Sequence, residues 1–340
     1  MAGKEKAASS AAPQVPASPI TGATTSPGRT RWRPVLSLSL LLIVLAILGW
    51  YVAKHWQDFL ILRNLGTGAL AGVVVLDGLI YVWSAGMIHA TVRPFAVRLD
   101  RKEGWMLAII TRFGNVLTPM RGGAVARAVY LNKLHGLSYP RFLAGMGGMV
   151  VSVVAVSVVG ALAGFAYLYA ATGQTMWKAA IVLSAAAAAV VLVAAVRPRM
   201  SETGSVVRRS LARLLNGWDA LCRDRRAVAG LMAMNLMDIL TMVCIYAVLL
   251  ADMGRAMPWG ALIVIVSLSK ITSIFQVTPG NVGVYEAALA IIGALVGRSP
   301  TDILAATITW RVLDVLVVLA TGPLCSAALA RKAGRSRPEA

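Results

Sequence analysis

The sequence predicts an all-α, polytopic membrane protein, and three observations carry that prediction. Of 340 residues, 58% are hydrophobic and only 14% charged, at a mean hydropathy of +0.73, whereas soluble domains carry about a quarter charged residues. Apolar runs of about 20 residues, the length that crosses a bilayer as a helix, recur from Pro34 to the C-terminus. The formal charge of +19 sits in short stretches flanking those runs, which is the positive-inside pattern and not a nucleic-acid-binding face. Soluble catalysis and nucleic-acid partners are therefore not expected.

Residues 1–33 are rich in Ala, Ser, Pro, Thr and Gly with scattered Lys and Arg. Such a segment cannot bury enough apolar surface to repay ordering, and a disordered cytoplasmic tail is expected. The run from Pro34 to Ala53 lies far from the first residue and ends without a cleavage motif, which makes it a retained span and not a leader. Five further full spans are expected at about 66–88, 142–171, 179–196, 228–251 and 302–329, each bounded by charges, Pro or aromatic residues. The stretches 104–132 and 259–297 differ because a Thr-Pro pair and glycines interrupt each one. Each is a re-entrant hairpin or a pair of spans, and arms marginal for a hydrocarbon layer of about 30 Å favour the hairpin. The predicted architecture is thus six full spans and two broken hairpins.

Both options preserve the parity of crossings, so the loop charges give the orientation. Lys4, Lys6, Arg29, Arg31, Arg33, Arg93, Arg98, Arg101, Lys102, the Arg-rich loop 197–227, Arg331, Lys332, Arg335 and Arg337 fall on one side. The other side holds Lys54, Arg63, Lys178, Arg255 and Arg298. Both termini are expected in the cytoplasm, with the chain in the cell membrane. Within the loop, Val207, Leu211, Leu214, Leu215, Trp218 and Leu221 recur at helical spacing among Arg208, Arg209 and Arg213. This fits an interfacial helix held at anionic headgroups, or else a helix packed on its own protein.

A shift of 160 positions, from Thr118 to Thr278, also brings Pro119, Gly123, Ala128 and Pro140 onto Pro279, Gly283, Ala288 and Pro300. The same shift superposes span on span and break on break. On the topology above the two units start on opposite sides, which makes an inverted-topology repeat. Repeat 1 covers about 34–171 and repeat 2 about 179–330 of a membrane domain at 34–330, followed by a basic cytoplasmic tail at 331–340.

The breaks carry the chemistry. Pro119 and Pro279 end a helix, and the neighbouring Thr118, Gly122, Gly123, Thr278, Gly280 and Gly283 let a new half-helix start close to another backbone. Unpaired backbone at membrane depth survives only inside protein or beside a water-filled cavity, and half-helix N-termini attract anions. Asp77, Arg112, Asp238, Lys270, Glu286, Arg311 and Asp314 lie within apolar segments, where an exposed charge costs about 2.5 to 3.5 kcal/mol. Arg121 and Arg127 are the lipid phosphate-binding candidates because a guanidinium offers a bidentate fork. Lys270, Glu286 and Arg311 are gate or coupling candidates, with Glu286 pairing with Lys270 or Arg311, or serving a proton or a ligand amine. Two structural alternatives accompany these roles. Arg127 is near enough to Lys133 to reach the cytoplasmic surface, and Asp314, one turn from Arg311, could pair with it. His55, His89 and His135 are isolated, Cys222, Cys244 and Cys325 form no CxxC, and no phosphate-binding loop of the ATPase type occurs. No metal, cofactor or catalytic residue is expected.

At Asn115-Val-Leu-Thr-Pro-Met-Arg-Gly-Gly-Ala-Val-Ala-Arg127, at Thr278-Pro-Gly-Asn-Val-Gly-Val-Tyr-Glu-Ala-Ala288 and at Trp310-Arg311, the chain resembles the flippase-like membrane domain family. That family comprises the transmembrane region of lysylphosphatidylglycerol synthases and its stand-alone relatives. Ala124 stands where the family often has an acid, and Asn281-Val282 stands where it has Gly-Leu. The resemblance implies a lipid flippase or lipid-carrier transporter whose partners are anionic or zwitterionic membrane lipids. The alternative is a non-transporting membrane subunit that binds lipid or holds a separate lipid- or glycan-modifying enzyme. The better-known relatives add a soluble aminoacyl-transfer domain after the membrane part. Only the short tail at 331–340 follows the last span here, so the expectation is of a protein that is not an enzyme.

Overall fold

Backbone buried in hydrocarbon must satisfy its own hydrogen bonds, and helices do this throughout the described chain. The computed structural model describes residues 65–118, 121–173, 205–274 and 283–335, together with Met200, Ser201, Thr278, Asn281 and scattered positions between 181 and 196. The elements are α1 Thr67–Val92, a 3-10 turn at Arg93–Phe95, α2 Arg101–Leu117, α3 Gly122–His135, α4 Tyr139–Thr172, α5 Val206–Arg223, α6 Arg225–Asp252, α7 Trp259–Thr272, α8 Val284–Leu295 and α9 Pro300–Arg335. No strand occurs among the described residues. Helices α1, α4, α6 and α9 are long and apolar enough to cross a membrane, and they match the expected spans at 66–88, 142–171, 228–251 and 302–329. The tail 1–33 and the span at 34–53 lie outside the described residues, as does half of the span at 179–196. Helix α9 continues through Arg335, several residues past the expected end of the membrane domain. Lys332 is held there by a buried acid, Glu103.

Polar ties mark the two ends of the bundle. At one end Arg93, after α1, pairs with Asp224, before α6, at 3.3 Å, and Asp224 caps α6 by accepting from the N–H groups of Arg226 and Ala227. At the other end the Gly66 N–H donates to Asp252 Oδ2 at 2.6 Å. Helices α1 and α6 therefore run antiparallel along their full lengths.

Helices α2 and α3 form a hairpin whose open end lies at the Arg93 end. Glu103, in the first turn of α2 and only 1% exposed, accepts from the Tyr130 hydroxyl at 2.6 Å and from Lys332 Nζ at 2.9 Å. His135 Nε2 lies 2.9 Å from the same carboxylate. Burial pushes this carboxyl up, but the three partners outweigh it and hold it at about 2, below its ordinary 4.5. Near the tip the two backbones touch. A Cβ on Gly123 would lie 1.9 Å from the Thr111 carbonyl oxygen, and one on Gly114 would lie 2.6 Å from Gly123 Cα.

Helices α7 and α8 form a second hairpin, open at the opposite end. Ala261 and Val264, early in α7, pack with Ile292 and Val296 at the end of α8. Arg255 before α7 lies 3.9 Å from Asp302 at the start of α9. The largest apolar core surrounds this hairpin, with Tyr246, Leu249 and Leu250 of α6, Ile265 and Val266 of α7, Leu289 of α8 and Ala306 of α9 all buried.

Helix α5 buries part of the face expected for it. Its buried residues are Ala212, Gly217, Asp219 and Leu221, because Leu221 fills the notch left by Gly148 on α4 and Gly217 lies against Ala144. Of the expected apolar face, Val207 stays 78% exposed and Leu211 45%. The C-terminal half of this helix is docked on its own protein, and the N-terminal half leaves an apolar edge uncovered.

Candidate functional site

The residues that hydropathy makes most expensive gather at the tips of the two hairpins. They surround a cavity of about 250 Å³ bounded by α1, α2, α3, α4, α6, α7, α8 and α9. The tips touch each other across it: Arg121 Nη2 donates to the carbonyl oxygens of Ser273 and Ile274, each at 2.9 Å. Arg121 caps α3 in the left-handed region, at φ 59°, a conformation that costs a non-glycine residue free energy and recurs at functional sites.

Five cationic side chains line the cavity, and three of them meet acids. Arg112 donates to Asp314 Oδ2 through Nε at 3.0 Å and Nη2 at 2.6 Å, while the Tyr81 hydroxyl donates to Asp314 Oδ1 at 2.5 Å. Lys270 Nζ donates to Asp238 Oδ2. Arg311 Nε lies 2.7 Å from Glu286 Oε1, and its guanidinium stands over the Tyr285 ring at 5.4 Å. Such pairs are what makes buried charge tolerable.

Arg121 and Arg127 have no acidic partner among the described residues. Arg127 is 6% exposed. Its Nη2 lies 2.7 Å from Met146 Sδ and its guanidinium stands over the Phe142 ring at 5.4 Å. The two guanidinium groups repel each other, an arrangement that an anion between them would relieve.

Several sequence expectations meet at this place. Arg121, Arg127, Lys270 and Arg311 all line the one cavity, and Glu286 stands behind it in the first turn of α8. There Glu286 Oε2 accepts the Gly283 N–H at 2.6 Å, so this carboxylate both caps the half-helix and holds Arg311. Of the alternatives open for Glu286, the partner is Arg311, and Lys270 is taken by Asp238 instead. Arg127 does not reach the surface but turns toward α4. The expected pairing of Asp314 with Arg311 is not what forms. Asp314 faces α2 and holds Arg112, because the rotation between successive helix positions aims Arg311 at α8 and Asp314 at α2.

The helix-break residues divide. Thr118 donates through its hydroxyl to the Gly114 carbonyl oxygen of its own helix. Gly122 leaves room for that side chain, since a Cβ there would lie 2.0 Å from Thr118 Oγ1. Thr278 is fully buried and its carbonyl accepts the Asn281 N–H at 2.9 Å. Gly283 has φ 85°, the conformation in which a side chain is strained. Pro119, Pro279 and Gly280 lie outside the described residues.

Sequence reasoning noted Asn281 only as a departure from a motif. In the structure it is 6% exposed, left-handed at φ 59°, on the cavity wall, and neither atom of its side-chain amide has a hydrogen-bond partner. An asparagine in a Pro-Gly-rich break, where αL geometry is common, was the signal that could have found it. Asp77 was noted as a buried acid, but not its partner. The Trp310 indole N–H donates to Asp77 Oδ1 at 2.9 Å, across 233 positions of sequence. Among the described residues no cluster of His, Cys, Asp and Glu could hold a metal ion.

No curated protein matches the chain. Residues 31–322 match the model of the family described as the lysylphosphatidylglycerol synthase TM region. This range takes in both hairpins, the cavity between them and most of α9. By that match, and in agreement with the resemblance carried by its two helix breaks, the chain is a membrane protein that belongs to the family of lysylphosphatidylglycerol synthase transmembrane regions.

Proposed function

We propose that this protein is a lipid flippase or lipid-carrier transporter of the cell membrane, taking the phosphate of a lipid headgroup between its two helix breaks. The observation that carries the proposal is the unequal pairing in the cavity. Three cations there hold acids, whereas Arg121 and Arg127 offer guanidinium forks with none, beside the N-terminus of α3. Such groups suit an anionic oxygen ligand.

In this reading the two hairpins are re-entrant from opposite leaflets and belong to an inverted-topology repeat within six spans, with both termini in the cytoplasm. The opposed open ends of α2–α3 and α7–α8 and the meeting of their tips support it. So does the basic character of the end that carries Arg93, Arg98, Arg101 and Lys102. Alternating access then requires the two tips to part on one side at a time, and the carbonyl bonds of Arg121 are the contacts that a phosphate would replace.

The test is lipid flux in liposomes that contain the purified full chain alone. Transbilayer movement of a phospholipid above protein-free vesicles, reduced when Arg121 and Arg127 are both replaced by Gln, is the expected result. Absence of flux by a folded, lipid-binding chain would mean a subunit that binds lipid without moving it.

A further inference from the structure

We infer that the headgroup taken by this cavity is a phosphomonoester, a lipid ending in a bare dianionic phosphate, and not a phosphodiester. The inference rests on the lipid-phosphate reading above and narrows it by charge, by donor count and by volume.

The charge argument is a balance between the cations that line the void and the carboxylates they contact. Arg112, Lys270 and Arg311 are each answered by a carboxylate, which leaves Arg121 and Arg127 as a surplus of two positive charges. Asp77 pairs with none of these cations: its Oδ1 accepts from the Trp310 indole and its Oδ2 has no hydrogen-bond partner. A phosphodiester carries one negative charge and would leave one buried guanidinium unanswered, which is costly at low dielectric. A dianionic monoester answers both, each through a two-pronged fork.

The donors point the same way. A monoester presents three terminal oxygens and a diester two. Two guanidinium forks can each engage an oxygen, and Asn281, whose Nδ2 has no partner, supplies a donor for a third. The void of about 250 Å³ is below the range of about 300 to 1,000 Å³ usual for drug-sized ligands. It suits a phosphate with the first atoms of its tail.

The test measures binding of three lipids with the same acyl chains, phosphatidate, phosphatidylglycerol and diacylglycerol, to the full chain in detergent at pH 8 and pH 5. Phosphatidate should bind at least tenfold more tightly than phosphatidylglycerol at pH 8. That preference should shrink to about threefold or less at pH 5, where a phosphomonoester, with a second pKa of about 6, holds its second proton. The basic surface of this chain also attracts dianions, so the Arg121→Gln, Arg127→Gln double variant, checked for folding by size exclusion and circular dichroism, must lose the preference. Equal binding of the two phospholipids at pH 8, both above diacylglycerol, overturns the monoester inference while the phosphate site stands. Equal binding of all three overturns the phosphate site as well. A preference retained by the folded double variant assigns it to the surface and overturns the inference. Inorganic phosphate binding as tightly as phosphatidate identifies a site for free phosphate and overturns its assignment to lipid.

Discussion

Replacing Glu103 by Gln tests whether the hairpin α2–α3 is locked at its open end. The carboxylate is almost wholly buried and receives Tyr130, His135 and Lys332, from two other helices. Its pKa of about 2 against an ordinary 4.5 corresponds to about 3 kcal/mol of folded-state stabilisation of the charged form. Because the folded pKa is depressed, that stability is present in full above about pH 4.5 and is lost as the pH falls through about 2. Gln preserves the shape and one acceptor oxygen but not the charge, so at pH 7 the variant should be less stable by about 2 to 3 kcal/mol. The gap should narrow between pH 4.5 and pH 2, because the wild type sheds the same interaction there. Thermal unfolding followed by tryptophan fluorescence in detergent, for both proteins across that range, reads the difference. Superimposable unfolding curves for wild type and variant at every pH would refute the lock.

Further outcomes follow from the same geometry. Arg127→Ala should weaken lipid binding by about 1.5 to 3 kcal/mol, the range for hydrogen bonds to a charged group, and Arg127→Lys should restore part of it without the fork; equilibrium binding of phosphatidate checks both. Glu286→Gln keeps the cap on α8 but removes the negative charge that Arg311 contacts, so it should cost up to about 3 to 5 kcal/mol of stability, the range for breaking a buried pair, read as a fall in melting temperature together with slower flux per folded molecule. Gly123→Ala sets a methyl group against the Thr111 carbonyl, where only backbone can give way. A loss of at least about 1 to 3 kcal/mol is expected, and unchanged expression and melting temperature would contradict the close approach of α2 and α3. An impermeant thiol reagent applied outside intact cells should label a cysteine placed at Arg298 and should leave Cys222 unmodified. The opposite pattern would reverse the assigned orientation.

The sequence by itself determined the helical class, the four described membrane-length helices and the place of both breaks, because each rests on information local to the chain. Apolar runs such as 228–251 need about 20 consecutive residues to report their own span. A Thr-Pro followed by glycines reports its own interruption. The inventory of costly charges was also legible, since Arg121, Arg127, Lys270, Glu286 and Arg311 stand out from any apolar background. What the sequence could not decide is which of these charges answer one another. Arg112 and Asp314 are 202 positions apart and Trp310 and Asp77 are 233. The nearer Asp314–Arg311 pairing, suggested by helical spacing, gives way to the direction in which each side chain leaves α9. Whether α5 packs on lipid or on its own protein stayed open for a related reason: periodicity marks its apolar residues, Leu221 among them, but not the notch at Gly148 that receives Leu221. Asn281 became visible as an unpartnered amide only once its neighbours were in place. Only the tertiary structure decided that two guanidinium groups remain without acids at the meeting point of the hairpin tips. Pairing at low dielectric depends on which groups lie within a few ångströms in space, and distance along the chain carries no record of that.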